Sequence, residues 1–175
     1  MSEKIYNDIT VVNEQDEVLG GMPLPEAIAQ GAIRRVSRIF IYNTSGELLL
    51  QKRSQHVMKP GLWDHSASGH VDIGNTYDQT AEQEVCEELS LCDIELSPLI
   101  PPRRATELGT GNFYVAAYSA IVPTGQTVTV SPHEVAAVEW FSEDALARAI
   151  TEKPESFTPA FREDWEQFRT ALFPQ

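Results

Sequence analysis

Three glutamates, Glu84, Glu87 and Glu88, stand at spacings that can build a metal site. In a helix, residues related as i, i+3 and i+4 lie on the same face, so the three carboxylates project together. Like charges at these spacings repel one another and cost roughly a few tenths of a kcal/mol per pair. Hard carboxylate oxygens are the ligands that Mg²⁺ takes in proteins. The spacing therefore leaves two interpretations, a solvated acidic face or a site for a divalent cation.

Three basic residues and one histidine near this helix could bind the phosphates of a ligand. Lys52, Arg53 and Lys59 flank a predicted loop, and cationic side chains form charge-assisted hydrogen bonds with phosphate oxygens. The alternative is that these three are solvated at the surface. His70 could contact a phosphate or a metal ion, or it could be a hydrogen-bonded structural histidine. All four are candidate substrate-binding residues.

The helix that bears the glutamates is predicted to begin at Thr76. Thr76 and Gln79 have the spacing of a capping box, in which two side chains satisfy backbone N–H groups of the first turn. Cys86 is expected to be a buried small apolar residue rather than a nucleophile. The apolar side of the helix is predicted from three residues, Ala81, Val85 and Leu89.

The rest of the chain alternates predicted strands with turns. Runs rich in β-branched and aromatic residues predict strands over 33–42, 47–52, 113–121 and 135–141, with an extended segment over 63–71. A short N-terminal hairpin is predicted over about 8–20, a turn at 109–111, and C-terminal helices over about 142–150 and 159–172. Pro98 to Pro102 interrupts the pattern. These elements predict one α+β domain over residues 1–175, with helices packed on a mixed sheet.

Composition and charge narrow the classes of partner. The chain has 175 residues and a formal net charge of −13, so its surface would repel the phosphates of a nucleic acid. No apolar run reaches the ~18 residues that a membrane-spanning helix needs, and the first residues have no apolar core of a secretory signal. Two cysteines are too few for a disulfide framework and suit a reducing compartment. We expect a cytoplasmic protein without nucleic-acid or membrane partners.

The stretch 69–91 resembles the signature of the Nudix hydrolase superfamily. That pattern is Gly, five residues, Glu, seven residues, then Arg-Glu-aliphatic-x-Glu-Glu-x-Gly-aliphatic. Three positions depart from it: Asn75 stands in place of Glu, Gln83 in place of Arg and Ser90 in place of Gly. The segment is therefore a degenerate Nudix box. The matching positions are the opening glycine, three glutamates and two aliphatic residues: Gly69, Glu84, Glu87, Glu88, Val85 and Leu91.

The resemblance implies a Nudix-like α/β/α sandwich with a mixed sheet and a central metal-binding helix. In this family the helix holds Mg²⁺ or Mn²⁺ against a diphosphate linkage, and a water attacks phosphorus. By that resemblance the metal ligands are Glu84, Glu87, Glu88 and the backbone carbonyl of Ser68. Glu134 lies in a loop where many members have an extra metal ligand or general base, so Glu84, Glu87 and Glu134 are candidate catalytic residues. For Glu134 the alternative is an exposed loop carboxylate.

The resemblance also implies a substrate class, which is a nucleoside diphosphate linked to another group or another small diphosphate. The departures at Asn75 and Gln83 favour a second hypothesis, a catalytically weak or inactive Nudix fold that binds a nucleotide or a protein. The N-terminal hairpin could pair across a homodimer, although nothing in the sequence requires it.

Segments outside the box resemble the subgroup related to isopentenyl-diphosphate isomerase, notably VVNEQDEVLG, LLLQKR, KPGLWDHSASGH and FTPAF. In that isomerase a cysteine precedes the Gly-His pair, and several histidines and later glutamates bind a metal. Here Ser68 stands at the cysteine position, residues 27–36 contain no histidine, and residues 111–113 lack the acidic pair. Isomerase activity is therefore the least favoured of the three hypotheses.

Overall fold

The computed structural model of the chain describes residues 7–105 and 111–173. Its strands are β1 (Ile9–Val12), β2 (Val18–Met22), β3 (Ile33–Asn43), β4 (Leu48–Arg53), β5 (Trp63–Asp64), β6 (Ala67–His70), β7 (Ser97–Ala105), β8 (Phe113–Val122) and β9 (Val135–Phe141). Its helices are α1 (Leu24–Ala29), α2 (Tyr77–Leu89), α3 (Glu143–Glu152) and α4 (Pro159–Leu172), with a 3₁₀ turn at Pro154–Ser156.

The long strand β3 is the centre of the sheet. It pairs antiparallel with β1, β4 and β6, and it pairs parallel with β8 from Arg34 opposite Phe113 to Asn43 opposite Val122. Within the described residues the sheet has nine strands, since β2 extends it beyond β1, β7 beyond β8, and β5 and β9 both pair with β4. The sheet is therefore mixed, as the sequence predicts.

Helices cover both faces of this sheet. Side chains alternate along a strand, so neighbouring residues of β3 enter different cores. Ile39 and Ile41 pack in one cluster with the apolar side of α2. Phe40 packs in the other cluster with Leu146 of α3 and Phe161 of α4. The predicted α+β sandwich with a central helix is confirmed.

The ends of α2 follow from local sequence. Thr76 accepts a hydrogen bond from the backbone N–H of Gln79, and the Gln79 side chain accepts one from the backbone of Thr76, so the predicted capping box is confirmed. At the other end Ser90 adopts the left-handed conformation with φ 55°. A residue with a Cβ adopts that conformation at a cost of about 1–2 kcal/mol, whereas glycine adopts it freely. The departure at Ser90 therefore affects helix termination and not metal chemistry.

The sequence does not predict β7, because three prolines interrupt its apolar pattern. In the structure this segment pairs antiparallel with β8 through a register that shifts twice, between Pro98 and Ile100 and between Ile100 and Arg103. A proline cannot donate a backbone hydrogen bond, so it is tolerated mainly on an edge strand or at a bulge. β7 meets both conditions, and the interpretation of Pro98 to Pro102 as a break is wrong.

The prediction for the cysteines is also wrong. Cys86 is half-buried and forms a disulfide with Cys92, so it is not an isolated apolar side chain. The bond joins the last turn of α2 to the loop that follows Ser90. The cysteine content therefore no longer supports a reducing compartment.

Among the described residues, no helix is both long enough and apolar enough to span a membrane. The predicted turn at 109–111 lies mostly outside the described residues, which resume at Gly111.

Candidate active site

Three carboxylates converge beside β6. Glu84 and Glu88 come from consecutive turns of α2, and Glu134 comes from the loop before β9. One oxygen of each lies within 4.8 Å of the others. Backbone hydrogen bonds tie the loop to its neighbours: Ser54 N–H donates to the carbonyl of Glu134 at 2.9 Å, and Ser131 N–H donates to the carbonyl of Glu88 at 3.0 Å. The loop therefore has a defined position against α2.

Glu88 is the most constrained member of this carboxylate cluster. Its side chain is buried, and one of its oxygens accepts hydrogen bonds from Gln51 Nε2 at 2.9 Å and from the backbone N–H of Ser68 at 3.2 Å. Burial, followed by the negative charges of Glu84 and Glu134, raises the pKa of Glu88 well above its usual range. A cation between the three oxygens would relieve this repulsion.

The opening glycine of the box lies directly against the Glu84 side chain. A Cβ at residue 69 would lie 2.0 Å from Glu84 Oε1, a distance at which atoms clash. The lack of a side chain at Gly69 thus leaves room for the Glu84 carboxylate beside β6. Three carboxylates with hard oxygen donors suit Mg²⁺ or Mn²⁺, so the residues present fit the implied metal.

Glu87 lies outside this group of three. Its carboxylate is exposed and accepts a hydrogen bond from Gln83 Nε2 at 2.8 Å, while Asn75 Nδ2 lies 3.5 Å from Gln83 Oε1. Two of the three residues that depart from the box, Asn75 and Gln83, are therefore neighbours, and Gln83 also bonds a glutamate of the box. They form a neutral chain of amides where the family pattern has charged residues.

A cavity of about 170 Å³ lies on the other face of β6. Because Gly69 faces Glu84 and side chains alternate along a strand, Ser68 and His70 face this cavity. Two of the predicted substrate-binding cations, Arg53 and Lys59, line it together with His70. Lys52 does not line it, and its Nζ lies 5.8 Å from the ring centroid of Trp63.

A buried polar network borders this cavity. Asp164 of α4 accepts hydrogen bonds from Arg38 and His65 at 3.0 Å each, and it is also paired with Arg103. Burial opposes ionisation of Asp164, but Arg38, His65 and Arg103 outweigh it and lower its pKa to about 2. Burial also disfavours the charged form of His65, but Asp164 and Asp64 outweigh it and raise the pKa of His65.

The second acid of the network, Asp64, is held in the same way. It accepts hydrogen bonds from Arg53 Nη1 at 3.0 Å, from Thr158 Oγ1 at 2.8 Å and from the backbone of His65 at 2.9 Å, and it lies 2.8 Å from His65 Nδ1. Burial raises its pKa, but His65, Arg53 and Thr158 together lower it below its usual range. The network therefore fixes a predicted substrate-binding residue, Arg53, by an ion pair.

His70 is another polar group in the cavity wall. Its Nε2 atom is buried and has no hydrogen-bond partner among the described residues. Burial, with Arg34 and Arg53 nearby, lowers the pKa of His70 to about 4, so the imidazole is neutral at pH 7.

Several residues of the site have no motif in the sequence. Arg34 and Arg38 line the cavity from β3, and Phe113 lies under the Arg34 guanidinium at 4.5 Å from the ring centroid. The one available signal is the presence of arginines inside an otherwise apolar strand run, IRRVSRIFIY. Buried cations of this kind need partners, which are often functional or structural carboxylates.

Comparison with known proteins adds independent findings. The sequence profile of the NUDIX domain matches residues 28–161. An uncharacterised Nudix hydrolase of Pseudomonas aeruginosa is 39% identical over 89 residues, which are 50% of this chain and 53% of that protein, so the match spans about half the length of that relative. An isopentenyl-diphosphate Delta-isomerase of Pectobacterium atrosepticum is 26% identical over 172 residues, 93% of this chain and 96% of that protein.

Solved structures share the fold. The crystal structure of DR0079 from Deinococcus radiodurans superposes with a TM-score of 0.68 and 25% identity, and the match covers 83% of this chain and 90% of that one. The Nudix domain of Shewanella oneidensis NrtR, solved with ADP ribose, gives a TM-score of 0.62 at 19% identity and covers 86% of this chain and 99% of that one. The second likeness shows the fold alone.

Proposed function

Because the chain belongs to the NUDIX domain family, as its box predicts, we propose that it is a metal-dependent hydrolase of a diphosphate linkage. The substrate is a nucleoside diphosphate joined to another group. The single observation that supports this is the cluster of Glu84, Glu88 and Glu134, whose oxygens lie within 4.8 Å of one another around the side-chain-free position of Gly69. Such a cluster is costly without a cation and favourable with one.

The ion is Mg²⁺ or Mn²⁺, and Glu84 and Glu88 of α2 would hold it beside Glu134. When bound, a divalent cation polarises the phosphoryl oxygens and lowers the pKa of a coordinated water. Glu88 is suited to be a fixed ligand, since Gln51 and Ser68 hold its carboxylate. The backbone carbonyl of Ser68, on β6, is the further ligand that the family resemblance implies.

Glu134 is suited to accept the proton of the attacking water. It is half-buried at the end of a loop, whereas Glu88 is buried and hydrogen-bonded on two sides. A general base must reach the water and release the proton afterwards, which favours the more accessible carboxylate. Glu87 lies outside the cluster and accepts a hydrogen bond from Gln83, so it has no assigned step in this proposal.

The cations of the cavity hold the substrate. Arg53 and Lys59 line the cavity together with Ser68 and Gly69, the two residues of β6 nearest to the carboxylates. A substrate whose diphosphate lies at the carboxylates can therefore place its other anionic groups against these cations. The Shewanella neighbour was solved with ADP ribose, a nucleoside diphosphate joined to a sugar, which is the substrate class that we propose here.

The similarity to isopentenyl-diphosphate isomerases extends over 93% of the chain, so isomerase activity is the second candidate. That reaction, by the family pattern, requires a cysteine where Ser68 stands. Arg34 and Arg38 line the cavity from β3, and a guanidinium does not bind a metal ion. Hydrolysis is therefore preferred over isomerisation for this chain.

A third possibility is a binding module with little turnover, which the amide chain Asn75–Gln83 favours. This possibility makes a distinct prediction, since such a module would bind a nucleotide and cleave no diphosphate linkage. The carboxylate cluster favours the hydrolase over this possibility, because a module without metal chemistry has no need for three converging carboxylates.

The test is the release of phosphomonoester products, followed by chromatography, with millimolar Mn²⁺ or Mg²⁺ across nucleoside diphosphate sugars, dinucleotides and nucleoside triphosphates. We expect release from at least one diphosphate-linked substrate, and a loss of about 100-fold or more in Glu84→Gln. Glu82→Gln is the matched control, because Glu82 is an exposed glutamate of the same helix. Equal rates in the two variants, or no release from any substrate, would contradict the proposal.

A further inference from the structure

The cavity on the other face of β6 has a charge that is opposite to that of the whole chain. Of the described residues that line it, four are cationic, Arg34, Arg38, Arg53 and Lys59, and one is a carboxylate, Asp64. The chain as a whole has a net charge of −13. A concentration of positive charge within an acidic protein focuses the local potential and attracts anions to that place.

The size of the cavity limits what can enter. About 170 Å³ is well below the roughly 300–1,000 Å³ of pockets that enclose drug-sized ligands. A nucleoside is therefore too large to be enclosed, whereas a phosphate group with a few attached atoms is of suitable size. The apolar part of the wall, including Val36 and Phe113, offers no hydrogen bonds, so recognition depends on the basic residues and His70.

The basic residues are held in position before any ligand arrives. Arg38 is fixed by Asp164 and Arg53 by Asp64, in both cases at 3.0 Å. The Arg34 guanidinium lies over the Phe113 ring. A guanidinium that is already fixed loses little conformational freedom on binding, and its planar N–H groups match phosphate oxygens. His70 adds a buried Nε2 that has no partner among the described residues and that a phosphate oxygen can satisfy.

The cavity is also separate from the carboxylate cluster. The two lie on opposite faces of β6, and among the described residues Ser68 and Gly69 border both of them. Arginine, lysine and imidazole side chains provide all the charge and hydrogen bonds that a phosphate needs, so binding in the cavity requires no metal ion.

We propose that this basic cavity is a metal-independent phosphate site, which takes a phosphate group of the substrate other than the linkage that is cut. The substrate class is thereby narrowed to diphosphate-linked compounds whose small end bears a further phosphate. This narrowing rests on the proposed hydrolase function, whereas the phosphate site itself does not. The phosphate site and the hydrolase function can therefore be refuted by separate experiments.

The test is titration of inorganic phosphate in EDTA, followed by calorimetry or ³¹P line broadening, with no metal and no turnover. We expect the wild-type chain to bind phosphate, and Arg34→Gln to bind it about tenfold more weakly, as the loss of one charge-assisted hydrogen bond implies. Lys59→Gln, at a half-buried loop position, is the second variant if Arg34→Gln does not fold. A similar loss is expected there.

Two controls make the result specific. Arg104→Gln removes a half-buried arginine of β7 that pairs with Glu14 and does not line the cavity, so its phosphate affinity should equal that of the wild type. Glu84→Gln should also leave phosphate affinity unchanged in EDTA. No binding by the wild type, an equal loss in Arg104→Gln, a loss in Glu84→Gln, or equal affinity for acetate would each overturn the proposal.

Discussion

The carboxylate cluster and the buried network meet at β6 and differ in how their charges are balanced. The cluster brings like charges together, whereas the network pairs each acid with cations. In the cluster, Glu84, Glu88 and Glu134 bring like charges within 4.8 Å, and the pKa of Glu88 is raised. In the network, Asp164 and Asp64 are surrounded by Arg38, Arg53, Arg103 and His65, and the pKa values of both acids are lowered.

This difference separates a cluster that needs a metal ion from a network whose acids already have their cations. The network is complete within the chain, since each of its two acids is matched by cations, and it adds stability by itself. The cluster reduces stability until a cation joins it, which is what a binding site requires. Substitutions in the two regions should therefore change stability in opposite directions.

The largest effect is expected from Asp164→Asn. It leaves Arg38, His65 and Arg103 buried or half-buried beside a neutral amide, and breaking a buried ion pair costs about 3–5 kcal/mol. Urea unfolding should show this loss in the free energy of unfolding. Glu166→Gln, at an exposed position of the same helix, is the control and should change it by less than about 0.5 kcal/mol. Equal stability of the two variants would mean that the network does not hold the fold.

Glu88→Gln should stabilise the metal-free protein, although it removes a metal ligand. The raised pKa means that the folded state disfavours the ionised carboxylate, so stability is full below the usual value of 4.5 and is lost as pH rises through the higher folded value. Each pKa unit is worth about 1.4 kcal/mol. In EDTA the variant should therefore exceed the wild type in melting temperature at pH 7, and the difference should disappear near pH 4.

The network gives the opposite pH dependence. The pKa of Asp164 is lowered to about 2, so its contribution to stability is present above the usual value of 3.8 and is lost as pH falls through about 2.

A Glu88→Gln variant that is less stable than the wild type at pH 7 in EDTA would contradict the contrast between the two regions.

The smallest effect is expected where the box departs from its pattern. Restoring charge with Asn75→Glu and Gln83→Arg should place an arginine beside Glu87 and raise kcat by up to about tenfold, the range of one well-placed charged hydrogen bond. Gln167→Arg is the matched control, because Gln167 also bonds a glutamate one helical turn away, at 3.3 Å, but on α4. A restored pair that leaves kcat unchanged would show that the amide chain is not limiting.

The parts of the fold that the sequence predicts are those with local causes. The start of α2 at Thr76 depends on residues three positions apart, and the β3–β4 turn depends on Asn43 to Gly46, so both are readable in a short window. β7 cannot be predicted from a short stretch of sequence. Its prolines are acceptable only at a bulged edge, and that position is set by pairing with β8.

The residues of the site also fall into those that a short stretch of sequence predicts and those that it does not. Glu84 and Glu88 are predicted from helical spacing. The ion pair of Arg38 and Asp164 joins residues 126 positions apart, and no local sequence pattern predicts it. The disulfide between Cys86 and Cys92 spans only six positions but depends on the left-handed turn at Ser90, which a cysteine count does not reveal.

Calorimetric titration of Mn²⁺ tests the central claim most directly, since the metal must bind where the three carboxylates meet. The wild type and Glu82→Gln should bind Mn²⁺ with equal affinity, while Glu88→Gln should bind it about 10–100-fold more weakly. Glu87→Gln, whose carboxylate lies outside the cluster, should lose less than Glu88→Gln. Equal affinity in the wild type and Glu88→Gln would contradict the assignment of the metal site.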